Sequence, residues 1–144
     1  MMMVRAWEEK DVAAIVEIEK QSFSDPWTEE MLKDTLRFPV YHTFLVEEGG
    51  QVCGYGCIIV LFEDAELANI AVAPTFRGQG VGKALMESMH EKAKALGAQR
   101  MLLEVRVSNK TAIGLYEKYG YQRYGIREHY YADGEDAYLM TKTL

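Results

Sequence analysis

Three stretches of this 144-residue sequence carry side chains at spacings that could do chemistry. Glu104 lies within Met101-Leu102-Leu103-Glu104-Val105-Arg106-Val107, where alternation puts Leu102, Glu104 and Arg106 on one face and Met101, Leu103, Val105 and Val107 on the other. A carboxylate among apolar strand residues is partly desolvated, which raises its pKa and suits it to proton transfer. A structural ion pair, with Arg106 as partner, is the plainer alternative. Tyr116 follows on a helical pattern with Ala112, Ile113 and Tyr119 on the face that packs inward. Its phenol, with a pKa of about 10, is a potential proton donor; its ring could equally be core. The third stretch, Arg77-Gly78-Gln79-Gly80-Val81-Gly82-Lys83, separates a strand pattern from a strong amphipathic helix.

Glycines without Cβ let the backbone approach an anion, and free N–H groups at a helix start point at it. Arg77 and Lys83 add positive charge at the rim. Two familiar phosphate motifs fail by register. A P-loop ending in Gly82-Lys83 needs Gly at 77 and Ser or Thr at 84, where Arg77 and Ala84 stand. A G-x-G-x-x-G motif meets Lys83 or Leu85 at its last glycine. The loop therefore reads as an anion cradle of another kind, or as a turn that needs glycine only for its shape.

Elements that would position these groups follow from periodicity. A short strand over Met3 to Trp7 precedes a helix capped by Asp11 with Val12, Ile15, Val16, Ile18 and Phe23 mostly on one side. Ser24 or Asp25, with Pro26 at a first helical position, starts a second helix carrying Trp27, Met31, Leu32 and Leu36. Tyr41 to Val46 and Gln51 to Leu61 form a hairpin across Glu-Glu-Gly-Gly, and Glu66 to Ala73 adds a third strand. A helix over Val81 to Leu96 ends at Gly97. Arg100 to Val107 is a strand; Asn109 caps a helix running to Tyr119; Tyr121 to His129 and Ala137 to Thr143 are the last strands. The order β-α-α-β-β-β-α-β-α-β-β predicts an α/β domain with a mixed sheet.

Composition narrows the classes. Sixteen Lys and Arg against 22 Asp and Glu give a net charge of −6, which argues against a general phosphate-backbone binder and so against direct nucleic-acid contact. Cys53 and Cys57 form neither a disulfide framework nor a four-ligand zinc site, and His42, His90 and His129 share no ligand spacing, so no metal is expected. The longest apolar run, Cys57 to Phe62, is far short of the roughly 20 residues a bilayer requires, and no signal peptide is visible. A cytoplasmic protein without a membrane partner is the expectation. Without repeats or linkers, residues 1–144 read as a single domain.

The glycine stretch resembles the Arg/Gln-x-x-Gly-x-Gly/Ala signature of the GCN5-related N-acetyltransferases, the GNAT superfamily, and Asn69-Ile70-Ala71-Val72-Ala73-Pro74 is similar to that family's fourth strand. Leu103 to Asn109, Gly114 to Tyr121, Pro26-Trp27-Thr28-Glu29, Arg127 to Tyr131 and Gly134 to Ala137 resemble the ribosomal-protein-alanine N-acetyltransferases of the RimI type. The final hairpin, Tyr131 to Ala137, is shorter than in the best-known members.

The resemblance implies a mixed, mostly antiparallel sheet of about seven strands with about four helices, strands four and five splayed to hold acetyl-coenzyme A. It implies that Arg77, Gly78, Gln79, Gly80, Val81, Gly82 and Lys83 hold the pyrophosphate, that Ile70, Ala71 and Val72 line the pantetheine arm, and that Asn109 touches the same ligand. Glu104 would be the base acting on the substrate amine and Tyr116 the acid protonating coenzyme A. Trp27, Tyr130 and Tyr131 would line the acceptor groove. The implied partner is a protein N-terminus, such as the basic tail of a ribosomal protein. Acetylation of a small amine or amino acid is an alternative, and a non-catalytic coenzyme A-binding regulatory module is another. The oligomeric state is not legible.

Overall fold

A computed structural model describes residues 1–144. The elements are β1 (Met3–Arg5), α1 (Val12–Ser22), α2 (Glu29–Arg37), β2 (Tyr41–Glu48), β3 (Gln51–Leu61), β4 (Asp64–Val72), α3 (Val81–Ala95), β5 (Arg100–Arg106), α4 (Lys110–Lys118), β6 (Gln122–Arg127) and β7 (Ala137–Thr143). Short 3-10 turns lie at Glu9–Asp11 and Pro74–Phe76. The strands form one sheet in the order β1-β2-β3-β4-β5-β7-β6, antiparallel throughout except for β4 beside β5. This is the mixed α/β architecture expected from the sequence. The parallel pair follows from α3, because neighbouring parallel strands need a long crossover.

Each face of the sheet buries its own core. Val81, Leu85, Met86 and Met89 of α3 pack with Met101, Leu103 and Met140, while Ile15, Ile18 and Leu32 from α1 and α2 pack with Leu45, Tyr55 and Cys57. Close approach of α3 depends on Gly54: a Cβ there would stand 2.8 Å from Val81 Cγ1.

Two features of β4 make an opening. Its pairing with β5 covers only Asp64 to Glu66 against Arg100 to Leu102, after which the strands part. Just beyond the last pair, the register against β3 slips by one residue at Ala68. Such a bulge turns the following side chains to the opposite face. Ala65 and Leu67 belong to the α3 side, whereas Asn69 bonds α1 and Ala71 packs with the α1 core.

Three local expectations need correction. Thr28, rather than Ser24 or Asp25, caps α2, accepting from Met31 N at 3.2 Å, so Pro26 and Trp27 lie in the preceding loop. Thr28 wins because its hydroxyl stands three residues before a free helical N–H. Asp11 directly precedes α1, but its carboxylate bonds the Arg5 guanidinium at 2.8 and 2.9 Å and Glu8 N at 2.7 Å instead of capping that helix. The strands beginning at Met3 and Tyr121 are shorter than expected, ending at Arg5 and starting at Gln122.

Candidate active site

The opening leads into a cavity of about 180 Å³. From β5 it receives Glu104, Val105 and Arg106; from β4 Asn69 and Ile70; from the start and body of α4 Asn109 and Tyr116; and from the loops Trp27 and Tyr131. Glu104 and Tyr116, on different elements, thus line one cavity. Asn109 Oδ1 caps α4, accepting from Ala112 N at 3.2 Å, which fixes where Tyr116 emerges. Burial pushes the Tyr116 phenol up to about 12. Glu104 makes no ion pair with Arg106, which is engaged elsewhere; the carboxyl facing it is that of Glu66, whose pKa is raised by burial and then by Glu104.

Beyond the end of β4 the glycine loop leads into α3. Gly78 and Gly80 have φ of +77° and +86°, a left-handed conformation that side chains other than glycine adopt at a cost. Gly80 is the N-cap of α3, and Ala84 N reaches back to its carbonyl at 3.0 Å. The N–H groups of Val81, Gly82 and Lys83 therefore start the helix without carbonyls behind them, at its positive end. Arg77 Nε donates to Val72 O at 3.3 Å and Gln79 Nε2 to Thr75 O at 3.2 Å, bracing the loop against the end of β4 and the 3-10 turn that follows it. Lys83 is exposed, 4.0 Å from Glu87.

The residues expected at the site fall into three groups. Glu104, Tyr116, Asn109, Ile70, Trp27 and Tyr131 line the cavity together. Arg77 to Lys83 stand at the loop, while Ala71 and Val72 flank the opening with side chains turned into the two cores. Tyr130 is 46% exposed and lies outside the cavity, edge-on to Tyr131 at 5.1 Å.

Sequence reasoning missed Glu19, Glu66 and the true partners of Arg106. Glu19, 1% exposed, accepts from Trp27 N at 2.8 Å, Asn69 Nδ2 at 2.8 Å and the Tyr55 hydroxyl. It reads from sequence as one more charge in an amphipathic helix, although its position beside Ile15 and Ile18 on the buried face was a usable signal. Glu66 was hidden in an alternating strand.

The Acetyltransferase (GNAT) family model matches residues 12–121, and the chain belongs to that family. Within it, a Bacillus subtilis (strain 168) protein is 43% identical over 143 residues, covering 98% of this chain and 95% of its own; its name gives ribosomal protein bS18-alanine N-acetyltransferase as a provisional activity. The crystal structure of the ribosomal-protein-S18-alanine N-acetyltransferase from Escherichia coli superposes with a TM-score of 0.90 at 34% identity, over 99% of this chain and 94% of that one. Ard1 from Thermoplasma volcanium gives 0.92 at 27% identity, over 99% and 97%. The fold is thus the GNAT fold, and the protein is an N-acetyltransferase of this family.

Proposed function

We propose that this protein moves the acetyl group of acetyl-coenzyme A to the α-amine of a protein N-terminus, with an N-terminal alanine of a basic ribosomal protein as substrate, in the cytoplasm. The observation that carries the reading is the meeting of Glu104 and Tyr116 in one cavity where β4 and β5 part. The names of the similar proteins support the substrate.

The residues fit the acyl donor. Left-handed glycines and unpaired helix-start N–H groups suit a pyrophosphate at Arg77 to Lys83, and the strand edge at Ile70, Ala71 and Val72 offers main-chain groups to an extended arm, with Asn109 opposite. Acetyl-coenzyme A supplies a thioester-activated acetyl group. Glu104 takes a proton from the acceptor ammonium, directly or through a water, freeing the amine lone pair to attack the carbonyl carbon; as the carbon–sulfur bond breaks, the new amide nitrogen sheds its second proton to solvent, which returns one to the departing thiolate. Tyr116 donates its hydrogen bond where negative charge collects on the departing sulfur. Burial, which pushes the phenol up to about 12, keeps it protonated at neutral pH. Tyr116 therefore acts chiefly as an always-protonated donor, and solvent completes the thiol.

An α-amine with a pKa near 8 is about 10% neutral at pH 7, while a lysine near 10.4 is about 0.04% neutral. A single carboxylate base therefore serves chain termini far better. The net charge of −6 favours a cationic acceptor tail. The test is transfer from labelled acetyl-coenzyme A to two basic peptides, one with a free N-terminal Ala and one blocked with internal lysines, the labelled atom being located by fragment mass spectrometry. Label on the α-amine alone is expected; label only on lysine, or on neither peptide, overturns the reading.

A further inference from the structure

Arg106 is the last residue of β5 and shares a face with Glu104. Its side chain is 18% exposed although it is charged, and it is spent on neither Glu104 nor solvent. Nη1 donates to Asp133 Oδ2 and to Glu135 Oε1, both at 2.8 Å, and Nη2 lies 3.3 Å from Asp25 Oδ2. The guanidinium carbon sits 4.0 Å from the centroid of the Tyr131 ring. Asp25 belongs to the loop between α1 and α2; Tyr131, Asp133 and Glu135 belong to the loop between β6 and β7. Both loops line the cavity, one through Trp27 and the other through Tyr131. No other ion pair or hydrogen bond joins them.

We propose that Arg106 is a positioning residue that latches the two loop walls of the acceptor cavity together, and so sets how tightly an extended acceptor is held in front of Glu104. This rests on the reading of the cavity as an acceptor site. The charges explain why one arginine can do it. Three carboxylates converge on one guanidinium, so the cluster without Arg106 would be three negative charges that repel, and the walls would separate. Glu135 is further anchored by Ser108 N at 2.9 Å, which ties that wall back to the end of β5. A lysine cannot reproduce the arrangement: it lacks the planar fork that reaches three carboxylates while stacking on a ring. Outer partners such as Asp25 and Asp133 are half exposed, so each arm alone is weak and the shared guanidinium makes them cooperative.

Steady-state kinetics on two acceptors test the latch: a basic hexapeptide beginning with Ala, which spans both walls, and alaninamide, which reaches only Glu104. Arg106→Gln is expected to raise the peptide KM about tenfold or more with kcat changed under about threefold, and alaninamide kinetics within about threefold. Arg106→Lys should recover little. An equal loss of kcat on both acceptors, or an unchanged peptide KM, overturns the proposal. If Arg106→Gln fails to fold, Asp25→Asn and Glu135→Gln decide by the same criterion. Amide hydrogen exchange gives a readout that needs no turnover: in Asp25→Asn, exchange should rise together in residues 23–28 and 128–136. A rise confined to residues 23–28 overturns the latch even if the wild type acetylates neither acceptor, an outcome that would sink the acceptor reading instead.

Discussion

The side of the site proposed to hold the acyl donor, between Val72 and Lys83, is a contiguous piece of backbone: left-handed glycines, a helix start and two braces to nearby carbonyls. The side proposed to take the acceptor is assembled from side chains far apart in sequence. Glu19 joins α1, β3, β4 and the loop before α2, and Arg106 joins β5 to two loops. Backbone-built sites tolerate side-chain change but not a change of φ; networks of charged side chains fail when one member is removed. The two sides should therefore answer mutation differently.

The largest effect should come at the junction of the two sides. Tyr116→Phe is expected to lower kcat by about a hundredfold or more while the Kd for acetyl-coenzyme A, by titration calorimetry, stays within about threefold. Loss of binding in step with turnover would make Tyr116 part of the donor side. Glu104→Gln should cost a comparable factor, and its residual rate should keep rising at higher pH as the acceptor deprotonates unaided.

Removing the buried acceptor-side carboxylate comes next. Glu19→Gln leaves a donor amide facing the Trp27 N–H, the Asn69 amide and the Tyr55 hydroxyl, and should cost about 3 kcal/mol in denaturant unfolding. Stability unchanged from wild type would show that the network adapts. Gly80→Ala should be milder, about 1–2 kcal/mol of left-handed strain, and should appear as weaker acetyl-coenzyme A binding with acceptor KM unchanged.

The smallest effect lies behind the donor-side helix. His90 on α3 lies 2.7 Å from the Tyr121 hydroxyl, and burial pushes its pKa down to about 4. A depressed histidine takes up protons first in the unfolded chain, so stability is full above about pH 6.5 and declines as pH falls toward 4. For this partly exposed ring the loss should be about 1 kcal/mol, seen as a smaller pH 7 to pH 4.5 difference in the unfolding midpoint of His90→Asn. An identical difference in wild type and variant would remove His90 from the acid response.

This contrast also explains what the sequence disclosed. The order of elements, the glycine loop and α3 were legible because each is written in consecutive residues whose backbone preferences are local. Glu104 and Tyr116 were legible as a polar residue in an apolar alternation and a tyrosine on an inward helix face. Glu19, Glu66 and the partners of Arg106 were not, because their roles depend on which distant segments meet. The slip at Ala68 was hidden for another reason. One inserted residue leaves composition and alternation nearly untouched, yet it decides that Asn69 meets Glu19 rather than α3.

The brief pairing of β4 with β5 has a consequence for the economy of the whole sheet. A sheet ordinarily has two outer margins; this one, parted after Glu66 and Leu102, also has two facing margins inside itself. Unpaired strand margins are templates for foreign chains, but a slit within a sheet admits only a single extended molecule. Whatever lies there as a surrogate strand is linked to folding by mass action, and at a hundred times its Kd contributes about 2.7 kcal/mol. A small molecule bound there would make the protein's resistance to unfolding and proteolysis a gauge of how much of it is present.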